Sequence, residues 1–309
     1  MLVHPDQNRR ASGVFGDLIG ENDQILGEPF DDDSLHARNG TGAWSPFYTR
    51  HVDVLVTARA HAPEIAGRLG FTSLDEADGL AFAAQVIEAN PRVVVHLGDE
   101  SETLLGALTH VPDLQHLVVR SDLAVHGTGA RMPSIISADA ASPLPSTKME
   151  RVLRRMESDV HAFIEERPVV SVTILRLAPI LGDGGSMSRY LGRPAVPSIL
   201  GFDPRLQFLH IDDAAAAFKH AVEDRLEGTF DVAAQGQVYL SRVVRLGKRR
   251  LRPLPEPLFR RLAPDLGLSE HLVDLLKYGR VVESTFDATH SCRDTLIDFY
   301  GTWKNSSID

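Results

Sequence analysis

A carboxylate and an imidazole stand four residues apart in the stretch Arg120-Ser121-Asp122-Leu123-Ala124-Val125-His126-Gly127. Together, Asp122 and His126 are the components of an acid–base pair, in which one group orients and the other carries a proton; the alternative is two solvated loop residues. His96, Asp99 and Glu100 are metal-ligand types, but His96 alternates out of an apolar strand and reads equally as a core histidine, so no metal site is expected. Arg242, Arg245, Lys248, Arg249, Arg250 and Arg252 form a basic run in a chain of net charge −10. Guanidinium groups grip phosphate in two-pronged fashion, so the run suits a pyrophosphate or an acidic partner, or else is a solvated face.

The elements that must position these groups alternate in type. Val52–Thr57, Val93–Leu97, Leu117–Arg120 and Ser171–Leu177 are short apolar, β-branched runs, the signature of buried strands. Between them Ala77–Ala89, Glu102–His110 and Ser146–Glu166 repeat apolar residues at helical spacing. Such alternation predicts an α/β chain with a parallel sheet and helices on both faces. Ligands of such sheets bind beyond the C-terminal strand ends, which directs attention to the residues after Leu97, Arg120 and Leu177. Further on, Leu206–His210 and Thr229–Val232 read as strands, and the Ala-rich Asp212–Val222 as a helix capped by Asp212 or Asp213. Ser241 caps a helix through Leu246, and helical stretches lie near Pro257–Leu262 and Glu270–Leu276. Residues 1–45 carry turn chemistry with few periodic apolar positions and are expected to be irregular.

Composition narrows the function classes. The 309 residues are 43% hydrophobic, enough for a substantial core. The acidic balance disfavours nucleic acid and anionic membrane as general partners. A single cysteine, Cys292, excludes an internal disulfide and a cysteine-built zinc site, which fits a reducing cytoplasm. No apolar run approaches the roughly 20 residues of a membrane span, and Met1–Arg10 does not read as a signal peptide.

Four segments carry a resemblance. They are Val93-Val94-Val95-His96-Leu97; Thr173-Ile174-Leu175-Arg176-Leu177-Ala178-Pro179-Ile180-Leu181-Gly182; Phe208-Leu209-His210-Ile211-Asp212-Asp213-Ala214; and Gly228-Thr229-Phe230-Asp231-Val232-Ala233. In order and spacing they resemble the extended short-chain dehydrogenases/reductases, the NAD-dependent epimerase/dehydratase family, and its galactose-epimerase-like branch in particular. The resemblance implies a Rossmann-like core over 46–185, to which 206–235 return, and a smaller α+β substrate lobe within 186–309. It also implies NAD or NADP as cofactor, a nucleotide sugar as substrate, and pairing of two copies through the helix at Ser146–Glu166.

Set against that family the chemistry is incomplete. The family's cofactor loop is a glycine-rich turn between first strand and first helix, where bare backbone approaches a pyrophosphate. If Val52–Thr57 matches the second strand, the loop falls on Ala11-Ser12-Gly13-Val14-Phe15-Gly16, which keeps Gly13 and Gly16. If it matches the first, the loop is Ala58-Arg59-Ala60-His61-Ala62-Pro63, with no glycine. Gly98 and Asp99 follow the next strand and Pro179 the fourth, the other places where a cofactor would be touched; the Asp99 carboxylate would repel a phosphate by about 1 kcal/mol at 4 Å in water. Asp122 stands at the position of the catalytic hydroxyl, and Lys148 at that of the lysine, able to contact a ribose. Four residues before Lys148, where the acid–base tyrosine belongs, is Leu144, and no tyrosine occurs between Tyr48 and Tyr190. The crossover from Leu97 to Val118 is also short.

The expectation is therefore a degenerate relative without standard dehydrogenase chemistry, acting as a binding or scaffold partner of a small molecule or of an active homologue, with no cofactor needed. The alternatives are a divergent NAD(P)-dependent enzyme in which Asp122, His126 and Lys148 replace the usual trio, and a cofactor-free isomerase or cyclase. In either, Arg189, Arg205 and Arg245 are the candidate cations for substrate.

Overall fold

The computed structural model of the chain describes residues 36–38, 44–46, 53–58, 63–75, 79–98, 101–129, 132–133, 135–137, 145–182, 184–284 and 286–306. The strands of the main sheet are β1 (His36–Arg38), β2 (Trp44–Pro46), β3 (Val54–Ala58), β4 (Thr72–Asp75), β5 (Val93–His96), β6 (His116–Asp122), β7 (Ser171–Leu177) and, after β8–β11 introduced below, β12 (Gly228–Val232). They lie in the order β12-β7-β6-β5-β3-β4-β1-β2. The run from β12 to β4 is parallel throughout, and β1 joins β4 antiparallel.

Successive side chains of each strand go to opposite faces, and both faces are covered, which is why the strands read as unbroken apolar runs. Leu55, Val94, Leu117 and Ile174 face one side, against Phe82, Leu104, Leu153 and Phe163. These come from helices α2 (Gly79–Ala89), α3 (Glu102–Leu108) and α4 (Lys148–Glu166), which follow α1 (Pro63–Leu69). Val56, Val95, Val118 and Leu175 face the other side, against Ile65 of α1 and Phe218 of α6 (Ile211–Glu223), which comes after α5 (Ser186–Leu191). Each fully buried side chain of this kind contributes about 1.5–3 kcal/mol relative to exposure.

The sheet decides between the two readings of the β3 segment. From β3 the chain steps outward to β4 and then crosses back to β5 on the other side. A strand flanked in this way is the first strand of a doubly wound sheet, and the switch point lies between β3 and β5. The connection that should bear the glycines is then the one after Ala58, whose sequence has none. Gly13, Gly16 and Asp99 lie outside the described residues.

The second lobe is built on small ladders: β8 (Ile180–Leu181) with β11 (Leu209–His210), β10 (Arg205–Leu206) with β13 (Val238–Tyr239), and β9 (Ala195–Ile199) with β14 (Arg250–Leu254). Helices α7 (Leu240–Leu246), α8 (Glu256–Leu262), α9 (Glu270–Tyr278) and α10 (Cys292–Ser306) enclose its own core around Tyr190, Phe208, Phe259 and Phe299. The segment read as one strand, Leu206–His210, is thus two short strands with different partners. Between them the buried Gln207 side chain accepts from Val282 N at 2.8 Å.

Two caps differ from expectation. The N-cap of α6 is His210, whose Nδ1 accepts from Asp212 N at 3.2 Å, while the Asp213 carboxylate turns away to Thr289 and His290. Ser241 sits inside the first turn of α7, and its N–H and hydroxyl donate to Asp203 at 2.8 and 2.7 Å. At α7 the side chain that takes the N–H, Asp203, is distant in sequence, whereas at α6 it is the adjacent His210. Among the described residues no helix is long and apolar enough to cross a membrane.

Candidate functional site

Strand β6 ends in Asp122, which caps a 3-10 turn over Leu123–His126 by accepting from Ala124 N at 2.7 Å. Gly127 closes the turn at φ +78°, a conformation that suits a residue without Cβ. The turn sends Asp122 and His126 to different partners. His126 Nε2 lies 2.8 Å from Asp231 Oδ2, with both side chains 1% exposed. Asp122 Oδ1 lies 3.9 Å from the Arg280 guanidinium.

Ser121, Arg176 and Asp231 stand in direct register on β6, β7 and β12. Glu157 of α4 comes down on this row. It accepts from Ser121 Oγ at 2.7 Å and from Arg176 through both oxygens, at 2.9 and 2.7 Å. Burial works against the Arg176 charge, but the Glu157 hydrogen bonds and the Glu157 and Asp231 charges outweigh it, and its pKa rises. A continuous buried polar chain thus runs Ser121–Glu157–Arg176–Asp231–His126. Its far end, His126 Nδ1, is buried without a hydrogen-bond partner. Asp231 was visible in the sequence only as part of a strand, and Glu157 only as part of a helix; nothing local marked them as partners.

Beside this chain a cavity of about 280 Å³ opens between the core and the second lobe. Gly127 and Ile136 line it from the core; Phe202, Arg205, Lys277 and Arg280 line it from the lobe. Arg280 is the unusual member. Its side chain is 2% exposed, its Nε donates to the Gly127 carbonyl at 3.2 Å, and both terminal nitrogens lack a hydrogen-bond partner. Burial lowers its pKa, with Asp122 and Glu150 opposing. His271 on α9 is buried nearby, its Nδ1 also unpartnered; burial and then the Arg280 charge lower its pKa against Asp122 and Glu150. Phe202 and Tyr278 meet edge to face at 6.2 Å, with Lys277 Nζ about 5 Å over both rings. Gly279, at φ +75°, lets the backbone press against Arg205: a Cβ there would lie 2.4 Å from the Arg205 carbonyl oxygen.

The other expected site residues scatter. Arg205 reaches the cavity. Arg189 is exposed and donates to the Gly184 carbonyl and Ser186 Oγ. Arg245 is exposed on α7. Lys148 is exposed at the first position of α4, behind the capping box of Thr147 and Glu150. Gly98 is buried past the end of β5, and Pro179 is half-buried, its carbonyl accepting from Leu209 N at 3.0 Å. His96 is fully buried, with Nδ1 2.9 Å from Thr57 Oγ1, the arrangement of a core histidine.

No protein-family profile matches the chain. Uncharacterized proteins of Mycobacterium tuberculosis and Mycobacterium bovis are 35% identical over 193 residues, covering 59% of this chain and 51% of theirs; the chain therefore spans about half the length of the curated relatives it matches. Among solved structures, UDP-glucose 4-epimerase of Thermotoga maritima with UDP-glucose superposes with a TM-score of 0.63 at 13% identity, over 83% of this chain and 99% of that one. UDP-glucuronic acid 4-epimerase of Bacillus cereus in complex with NAD gives 0.61 at 14%, over 82% and 99%. A dTDP-4-dehydrorhamnose reductase of Clostridium acetobutylicum gives 0.62 at 16%, over 81% and 99%. The chain has the Rossmann-like fold of the extended short-chain dehydrogenases/reductases.

That fold raises the question of a nicotinamide cofactor. Gly98, buried beyond β5, is one glycine at a place where the resemblance expects the cofactor. Against it, the connection after β3 has no glycine, and Leu144 stands four places before Lys148, where the resemblance sets a tyrosine. The residues present do not fit nicotinamide chemistry run in the family's usual way, and no step through that group follows from them.

Proposed function

We propose that the protein binds a nucleotide sugar, or a related phosphate-bearing metabolite, in the cavity between core and lobe, and that any chemistry on it proceeds without the tyrosine-based hydride mechanism. One observation carries this reading: Arg280 is held inside the cavity wall with neither terminal nitrogen hydrogen-bonded, its only ion-pair partner among the described residues being Asp122 at 3.9 Å. A buried, unsatisfied guanidinium costs several kcal/mol, which a bidentate oxyanion offsets. Arg205 adds positive charge, Lys277 being already paired with Glu256 at 2.8 Å, and the Phe202 and Tyr278 rings add aromatic surface for a base or a sugar ring. The neighbours that carry UDP-glucose and NAD supply the substrate class by analogy of fold.

A second reading, a divergent NAD(P)-dependent epimerase, dehydratase or reductase, draws support from the same neighbours and from Asp122 at the cavity's edge. The scaffold reading, with a homologous active partner, stands if no small ligand binds.

Thermal-shift and calorimetric titrations separate the three. UDP-, dTDP- and GDP-glucose, and the oxidised and reduced forms of NAD and NADP, are added one at a time. A ligand at 100 times its dissociation constant stabilises by about 2.7 kcal/mol, a plain shift in melting. We expect a nucleotide sugar to bind and Arg280→Met or Arg205→Met to weaken it at least tenfold. Binding of a nicotinamide form would move the conclusion to the second reading; a folded protein indifferent to every compound would sink the first two.

A further inference from the structure

We propose that His210, His290 and Asp298 form a binding site for a divalent transition-metal cation of the zinc class, apart from the cavity. One ring nitrogen of each histidine and one carboxylate oxygen of Asp298 lie within 4.8 Å of one another. The three come from separate elements: His210 from the end of β11, His290 from the turn before α10, and Asp298 from α10 itself. Two imidazoles and a carboxylate are the donor set of many zinc sites that leave a fourth position open.

What lies behind the histidines distinguishes this cluster from a chance encounter. A metal-bound histidine nearly always gives its other ring nitrogen to a carboxylate or carbonyl, which fixes the tautomer and the ring plane. His290 has such a carboxylate at hydrogen-bond distance, and His210 has one at ion-pair distance only. His290 Nδ1 lies 3.1 Å from Asp213 Oδ2, and Asp213 is only 3% exposed. Asp213 is fixed in turn by the N–H groups of Thr289 and His290, at 3.2 and 3.0 Å. His210 Nδ1 lies 3.6 Å from Asp212 Oδ2, and Asp212 is held by Arg68 at 2.6 Å. This leaves His290 Nε2 for a cation, while His210 Nδ1 accepts from the Asp212 N–H and gives up that bond only when its ring turns.

The two rings stack, centroids 4.1 Å apart and planes inclined by 25°. Each nitrogen lone pair lies in its ring plane, so near-parallel rings must turn edge-on to share one ion. A tetrahedral ion with bonds near 2.1 Å sets its ligands about 3.4 Å apart. Closing from 4.8 Å requires a ring rotation and a χ rotation of Asp298, which is exposed on its helix and able to make it. The same rotation lets His210 Nδ1 exchange the Asp212 N–H, from which it accepts, for the Asp212 carboxylate, to which it can donate. The ion would fasten α10 to the β11–α6 junction, joining the end of the chain's fold to the core.

The test is a Zn²⁺ titration of the whole chain at pH 7.5, against a chromophoric chelator and by melting with and without EDTA. One equivalent should bind with micromolar affinity or better, and the melting temperature should rise. His290→Ala and Asp298→Ala should each weaken binding at least tenfold and abolish the rise, and Asp298→Ala should melt like the unaltered protein in EDTA, since its side chain is exposed. Asp213→Asn, which keeps a hydrogen bond but removes the carboxylate, should weaken binding with the ligands intact. No stoichiometric binding, or binding that both alanine variants retain, would overturn the proposal.

Discussion

Asp231 stands directly across from Arg176 on the neighbouring strand, yet its closer contact is His126: 2.8 Å to the imidazole against 3.8 Å to the guanidinium. The arginine is already committed to Glu157 through two bonds. The buried row therefore shares its charges along a line, Glu157 to Arg176 to Asp231 to His126. Interrupting it at Asp231 leaves His126 without its partner and Arg176 with Glu157 alone. Removing one partner of a buried ion pair costs about 3–5 kcal/mol. Asp231→Ala should lose that much in urea denaturation, and Asp231→Asn distinctly less because the amide can still accept from His126. A loss below about 1 kcal/mol in the alanine variant would mean that the row is not a unit.

Gly279 and Gly267 offer a controlled comparison. Both have positive φ, +75° and +71°, but an added Cβ meets the Arg205 backbone at 2.4 Å in the first and nothing within 4 Å in the second. Gly267→Ala should cost about 1–2 kcal/mol, the conformational penalty alone. Gly279→Ala should cost more and should also weaken ligand binding, since Arg205 and Arg280 flank it in the cavity wall. Equal melting temperatures for the two variants would contradict the close approach.

Stability should fall as the medium is acidified from pH 7 towards 5. Burial holds His116 and His271 below the ordinary value of 6.5, so the unfolded chain binds protons that the folded one refuses. The stabilisation is full above about pH 6.5 and is lost as pH falls through that value towards the lower folded pKa values. Urea midpoints between pH 7.5 and 5 check this, and His271→Gln should flatten the slope. A midpoint that rises on acidification would refute it.

Lys148→Ala separates the two catalytic readings. The side chain is exposed, so stability should change by no more than about 0.5 kcal/mol. Nucleotide-sugar binding should also be unaffected. If a nicotinamide-dependent turnover is found and this variant abolishes it, Lys148 works as the family's lysine does and the tyrosine-free reading must be rebuilt around it.

Cys292 should resist modification. The thiol is 1% exposed, and burial pushes its pKa up to about 11, so little thiolate forms at neutral pH. Iodoacetamide labelling should require urea at unfolding concentrations; rapid labelling of the native protein would show that α10 opens readily.

The local part of the fold was legible because it is local. The apolar runs at Val93–His96 and Ser171–Leu177 and the 19-residue amphipathic helix Lys148–Glu166 follow from side-chain periodicity, which the chain carries within a few residues. The sequence offered Asp122 and His126 as an acid–base pair or as solvated loop residues, and the structure instead buries His126 and gives the two groups different partners. Missed elements such as α1, β4 and β14 lack that periodicity, being short or exposed on both sides.

The sequence by itself determined a parallel α/β core, because that depends on residue type and near-neighbour spacing. Only the tertiary structure decided that β3 occupies the centre of the sheet, that His126 answers to Asp231 rather than Asp122, and that Arg280 closes the cavity. His126 and Asp231 are 105 positions apart, and Gly127 and Arg280 are 153 apart. Such pairs are made by strand register and lobe docking, which bring distant residues together without leaving a local pattern in the chain.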